Sequence, residues 1–277
     1  MVRFAAAVLA VAALTLPSTS LRAQDTDAEW LDDCRNDHEW NRDTRARHCE
    51  IRQVGLKGAV RGGPLTVDPG MNGGVDVEGW DRDSVAVTAR IQVNARTEDD
   101  AAAIARQIRI EAAGRTVRAV GPAPTGRRQS WSVSFVVMVP RRTDLSLATE
   151  NGPLSVTDVT GRMDLSTQNG PLSLYGVAGD VHAHAQNGPL SVRLTGDRWE
   201  GTGLDAETQN GPAVLRIPED YNAKLDFGTV NGPMDVGFPI TVTIHGRLTD
   251  RISTTLGQGG PPVRVVTTNG PMSVRRM

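Results

Sequence analysis

The chain has 277 residues, 30 Lys plus Arg against 32 Asp plus Glu, and a formal net charge of -2. That balance excludes a general electrostatic attraction to nucleic acid or to an anionic membrane, and 39% hydrophobic residues exclude wholesale disorder. With 29 Gly, 16 Pro and only 4% aromatics, the core must be filled by small aliphatic side chains and the chain must turn often, which favours many short strands over a helical bundle.

Met1-Val2-Arg3-Phe4 makes a positive start, Ala5 to Leu16 are uninterruptedly apolar, and Pro17-Ser18 followed by Leu21-Arg22-Ala23 offers a small residue for cleavage. Residues 1–23 therefore read as a secretory signal peptide, whose apolar run is too short to span a bilayer. The mature chain begins near Gln24, with 28 basic residues against 32 acidic. Residues 24–50 are highly charged and contain both cysteines, Cys34 and Cys49. In an oxidising compartment these two most simply form a disulfide, and closing a loop of that size contributes about 3 kcal/mol in the chain-entropy model. A zinc site that adds His38 and His48 is the alternative; adjacent His48 and Cys49 cannot easily chelate one ion.

Residues 51–140 form an irregular β region. Ser84 to Val93 alternate as a strand, Thr97 caps a short helix near 98–109 with an acidic first turn, Gly121 to Gln129 is a loop, and Trp131 to Val139 alternate again.

Residues 141–277 carry a repeat. Asn-Gly-Pro begins at Asn151, Asn169, Asn187, Asn210, Asn231 and Asn269. The spacing of about 18–21 residues predicts an all-β solenoid like a parallel β-helix, with the wide last interval read as two units, one of them degenerate. Aligned on the Asn, the columns six, four and two residues before it and three and five after it are apolar or Thr throughout, while the residues between are mostly polar. Period-two alternation means strands with one face inward. Each unit is then a strand, a corner, a shorter strand and a return turn, with Gly allowing unusual backbone angles at the corner and Pro setting the exit. Stacked Asn amides can hydrogen-bond along the axis. Gly62-Gly63-Pro64-Leu65-Thr66-Val67, with Leu56 six residues before Gly62, matches the corner and second strand, and Asn72-Gly73-Gly74-Val75-Asp76-Val77 echoes it; Arg275-Arg276 reads as a charged guard on an open sheet edge.

The Cys34–Cys49 pair, Gly63-Pro64-Leu65-Thr66-Val67, Asn72 through Asp81, the Asn-Gly repeats and the closing Val265-Val266-Thr267-Thr268-Asn269-Gly270 together resemble the bacterial putative-adhesin family, a domain of unknown function in envelope and secreted proteins. The resemblance covers nearly the whole mature chain and implies a β-helical fold and surface contact, with no catalytic residues to carry over. The family often has Asn-Gly-Gly where this chain has Asn-Gly-Pro.

No phosphate-binding loop, HExxH or nucleophile elbow occurs, and no cofactor is expected. One outward column, five residues before each Asn, reads Ser146, Asp164, His182, Asp205, Asp226, Arg264, with His184 and Glu207 two residues on. Stacked in register, Asp164, His182, His184, Asp205 and Glu207 would be neighbours able to hold a metal or act as an acid/base pair on a polysaccharide. A solvated face of cross-strand charge pairs is the plainer reading. The loop Thr195 to Gly203, with Trp199, falls beside this column. Trp80 and Trp131 read as core or cap residues, and Arg127-Arg128 and Arg141-Arg142 as solubility groups. The expectation is an exported, non-catalytic adhesin or envelope scaffold, in the periplasm, on the surface or secreted, with a protein or glycan ligand. A carbohydrate-active β-helix enzyme is the alternative, and a periplasmic signalling partner a third.

Overall fold

The computed structural model of the chain describes residues 19–36, 46–56, 62–123, 126, 129–239 and 251–277, with side chains from residue 27 onward. Most of the signal-peptide stretch, His38 and Arg127-Arg128 lie outside the described residues.

In chain order the elements are α1 (Thr19–Asn36), β1 (Ala46–Gly55), β2 (Leu65–Asp68), β3 (Val75–Trp80), β4 (Ala86–Ala95), α2 (Glu98–Ala105), β5 (Arg109–Ala113), β6 (Thr116–Val120), β7 (Ser130–Pro140), β8 (Leu145–Asn151) and β9 (Leu154–Thr157). They continue as β10 (Thr160–Asn169), β11 (Leu172–Tyr175), β12 (Ala178–Asn187), β13 (Leu190–Arg193), β14 (Gly203–Asn210), β15 (Ala213–Ile217), β16 (Ala223–Asn231), β17 (Met234–Val236), β18 (Arg251–Leu256), β19 (Pro262–Asn269) and β20 (Met272–Arg276). Among the described residues the chain is all-β with two helices, and the strands form two ten-stranded sheets, ordered β1-β4-β7-β3-β9-β11-β13-β15-β20-β17 and β18-β16-β19-β14-β12-β10-β8-β2-β6-β5.

From β8 onward each pair of strands puts its first member in one sheet and its second in the other, joined at the Asn corner. Neighbouring pairs stack parallel with no slip: Leu165 lies beside Ala183, Thr167 beside Ala185, Asn169 beside Asn187, and Leu172 beside Leu190. The inward residues Leu147, Leu165, Ala183, Ala206, Val265 and Phe227 are 4% exposed or less and belong to one hydrophobic cluster. Each buried Leu or Val contributes about 1.5–3 kcal/mol relative to exposure, so a one-residue slip, which would turn every one of them to water, is heavily disfavoured.

The corner holds two further ladders. Asn169 Nδ2 donates to Asn151 Oδ1 at 2.9 Å, Asn187 to Asn169 at 3.0 Å, Asn210 to Asn187 at 2.9 Å, Asn269 to Asn210 at 2.8 Å and Asn231 to Asn269 at 2.9 Å. Just inside, the buried hydroxyls of Thr167, Thr208, Thr267 and Thr229 donate to the Gly152, Gly188, Gly211 and Gly270 carbonyls of the neighbouring rung, which satisfies polar groups that burial would otherwise leave costly. The glycines are needed for closeness. Of the six in Asn-Gly-Pro only Gly270 has positive φ; a Cβ on Gly170 or Gly188 would sit 2.1 Å from the carbonyl oxygen of the glycine one rung away. This corrects the expectation that unusual backbone angles select Gly here. Proline costs the corner none of its ladder bonds, because they run from Gly N–H and from the residue after Pro, as in Gly170 N to Asn187 O and Leu172 N to Pro189 O.

Three other expectations are corrected. First, the last rung does not stack in chain order. β19 lies between β14 and β16, and β20 between β15 and β17. The wide interval before Asn269 therefore holds no degenerate stacked unit among the described residues; β18 runs antiparallel on β16 as the sheet edge, and the chain returns to fill a gap one rung wide. Second, β20 is consequently internal, so Arg275-Arg276 guard no open edge. Third, Leu65 and Val67 pair with Leu145 and Leu147, which makes β2 a first strand; the corner of that rung is Asn72, bridged to Asn151.

The part before the repeats departs from the rung pattern. It includes an antiparallel extension, β1-β4-β7, and a β5–β6 hairpin. The helix expected near 98–109 is α2, with Thr97 Oγ1 accepting from Asp100 N–H at 3.1 Å, and its end at Ala105 lets Arg52 reach the Ala105 and Ile108 carbonyls. The unforeseen α1 overlaps the stretch read as the end of the signal and runs through the charged segment. Tertiary contacts hold it: Asp27 pairs with Arg90 at 2.8 Å, Arg90 stacks over Trp30, and Cys34 is disulfide-bonded to Cys49 on β1. With both thiols so consumed, the zinc alternative at Cys34, Cys49 and His48 is overturned. Among the described residues no helix is long and apolar enough to cross a membrane.

Gly188→Ala should lower unfolding free energy in urea by about 3 kcal/mol or more, whereas Gly55→Ala, whose Cβ meets nothing within 4 Å, should change it by less than about 0.5 kcal/mol. In the Cys34→Ser/Cys49→Ser chain hydrogen exchange should show α1 opening ahead of the rungs, with the free energy of that opening lowered by about 3 kcal/mol.

Candidate functional site

The outward face of the sheet containing β8, β10, β12 and β14 forms a shallow concavity of about 330 Å³, lined by Ser146, Asp164, His182, His184, Asp205 and Glu207 among others. Period two puts these side chains outward because their neighbours in sequence fill the core. Register then places Asp164 beside His182, His182 beside Asp205, and His184 beside Glu207.

The side chains pair mainly sideways. His184 Nδ1 lies 3.1 Å from Glu207 Oε1, and His182 Nε2 turns to Asp180 Oδ1 at 3.5 Å on its own strand. Both imidazoles are about half exposed, 56% and 50%. Arg264 Nη1 donates to Asp205 and, at 3.2 Å, to Glu207. Interleaving of β19 accounts for this: in chain order Asp205 would face Asp226, two like charges on adjacent strands, which is destabilising. The observed register runs Asp205, Arg264, Asp226, with Arg251 of β18 bonded to Asp226. Among the described residues no three His, Cys, Asp or Glu converge as a metal site. The arrangement is a hydrogen-bonding surface of alternating charge.

The loop at Thr195 to Gly203 does not line the concavity. Trp199 is 2% exposed and donates Nε1–H to the Gly179 carbonyl at 3.0 Å, a correction to its expected place beside the column. Trp80 and Trp131 are half-buried with their indole N–H groups bonded to the Ser84 and Pro122 carbonyls.

The opposite sheet carries a row that the sequence reading left out. Six residues after the Asn, Thr157, Tyr175, Arg193, Arg216 and Arg275 stand side by side on β9, β11, β13, β15 and β20. Arg193 stacks over the Tyr175 ring at 5.0 Å, Arg275 bonds Asp235 on β17 and holds its carboxyl below the usual carboxylate range, and Tyr175, Arg193 and Arg216 are exposed. Extending the Asn alignment by one outward column would have revealed this row.

His182→Ala should change stability by less than about 0.5 kcal/mol. Arg264→Ala, which leaves Asp205 and Glu207 without their shared cation, should cost about 1 kcal/mol, less in high salt; urea titrations at two ionic strengths check both.

The chain is similar over residues 75–275 to the Toastrack DUF4097 family model. Solved structures to which the chain is similar include a "putative cell adhesion protein" from Clostridium sporogenes, 10% identical, covering 84% of this chain and 100% of that one with a TM-score of 0.47. A "putative adhesin" from Bacteroides fragilis is 12% identical, covering 83% and 97%, TM-score 0.31, and one from Parabacteroides distasonis is 9% identical, covering 82% and 97%, TM-score 0.34. No curated protein matches the sequence. The family match spans well over half of the sequence, and the chain belongs to the Toastrack DUF4097 family.

Proposed function

We propose that the chain is an exported, non-catalytic β-solenoid of Asn-Gly-Pro rungs that serves as an adhesion or binding module of the cell envelope. Residues 1–23 act as the signal, 24–50 as a stapled segment, 51–140 as the N-terminal part of the coil and 141–277 as the repeat array. The observation that carries the reading is the slip-free stacking of rungs. It presents stiff faces on which side chains repeat at about 4.8 Å, the spacing of adjacent strands. A ligand meeting such a face loses little to protein ordering, which favours binding by many shallow contacts. The Cys34–Cys49 disulfide supports an oxidising compartment. The lateral pairing of His184, Glu207 and Arg264 supports a charge-balanced face over an acid/base pair.

Protease treatment of intact cells, compared with cells whose outer envelope is permeabilised, tests location. Cleavage on intact cells is the expected outcome; protection until permeabilisation removes adhesion and leaves a periplasmic scaffold. Turnover of a polysaccharide by the mature chain, abolished by His182→Ala or Asp205→Asn, would overturn the non-catalytic reading.

A further inference from the structure

Like charges on adjacent strands destabilise a sheet, and Arg193, Arg216 and Arg275 share one register on three consecutive strands. Asp235 neutralises Arg275 at one end, and Arg193 leans onto Tyr175. Arg216, between them, is exposed and has no acidic partner among the described residues. Glu78, in the same row, is separated from Arg193 by Thr157 and Tyr175. At Arg216 a local rule is broken with no compensation among the described residues, which is what a functional face produces.

We propose that this row is a binding strip for a linear carboxylated glycan, which rests on the reading of the chain as a binding module. The chemistry matches in three ways. The Arg193 and Arg216 guanidiniums each offer a planar donor fork suited to a carboxylate. Tyr175, at the end of the cation row, is 38% exposed with Arg193 over one face of its ring, and offers the rest of the ring to the apolar side of a sugar. Ser155, Ser173 and Ser191, two residues upstream on the same outward face and in register with one another, form a parallel row of hydroxyls able to exchange hydrogen bonds with sugar hydroxyls. The cations recur at one strand spacing, about 4.8 Å, so an extended chain lying across the strands meets them in succession. A nucleic acid fits less well: the patch is short, the chain is net negative, and one ring gives little base stacking.

The test is calorimetric titration of the mature chain with hexameric oligoguluronate, neutral maltohexaose, hexameric phosphate and a short single-stranded DNA. Binding of the uronate, weakening with salt and absent for maltohexaose, is expected. Arg193→Gln/Arg216→Gln should weaken it by on the order of tenfold or more, while circular dichroism and melting show the chain folded; Tyr175→Ala should weaken it less. No binding to the uronate, equal binding to the neutral hexamer, preference for phosphate or DNA, or binding unchanged in the double variant would each overturn the proposal. Retention of the chain on envelope material that survives the double variant overturns the strip alone and leaves the adhesion reading standing.

Discussion

Close, slip-free contact between one corner and the next is the constraint on which this molecule depends. Each Asn-Gly-Pro glycine brings its backbone against the neighbouring glycine carbonyl, where a Cβ would stand about 2 Å from oxygen in Gly170 and Gly188. At that separation the Asn amides reach one another and the Thr hydroxyls reach the glycine carbonyls. Because all three contacts need the same register, the corner sets the alignment of the strands on both sides, and the aliphatic columns fall into place in the core.

Register also decides the outer surface. A parallel stack places equivalent positions of every repeat side by side, so a side chain's neighbours are those of other repeats and its own sequence neighbours face away. Asp205 therefore meets Arg264, 59 residues on, and His184 meets Glu207. The same rule carries opposite consequences on the two faces. On one, charges of alternate sign neutralise each other; on the other, Arg193, Arg216 and Arg275 accumulate in a row and keep a local electrostatic cost that an anion would relieve.

Interleaving of the last rung ties these features together. β19 and β20 enter between rungs that the chain had already laid down, and in doing so bring Arg264 between Asp205 and Asp226 and Arg275 beside Arg216. The C-terminal strands are thus part of both faces, and the stability of the neighbouring rung formed by β16 and β17 depends on residues 38 positions further along the chain.

The repeat, its inward columns, the Asn ladder and the helix capped by Thr97 were legible in the residues, because period-two alternation and recurrence of Asn-Gly are local signals that need no partner to be read. The neighbours Asp164, His182 and Asp205 followed from the same alignment. Four things came only from the tertiary structure. The rung order β14-β19-β16 depends on which strands compete for a sheet edge, and no repeat spacing encodes that choice. The need for glycine arises from a neighbouring backbone. Trp199 goes inward because a core site and the Gly179 carbonyl await it. Helix α1, polar and without a clear apolar stripe, is held by Cys49 on the next strand, 15 residues from Cys34, and by Arg90, 63 residues from Asp27. Local chemistry determined what each rung is; only long-range packing decided the order in which the rungs stand and which charges they bring together.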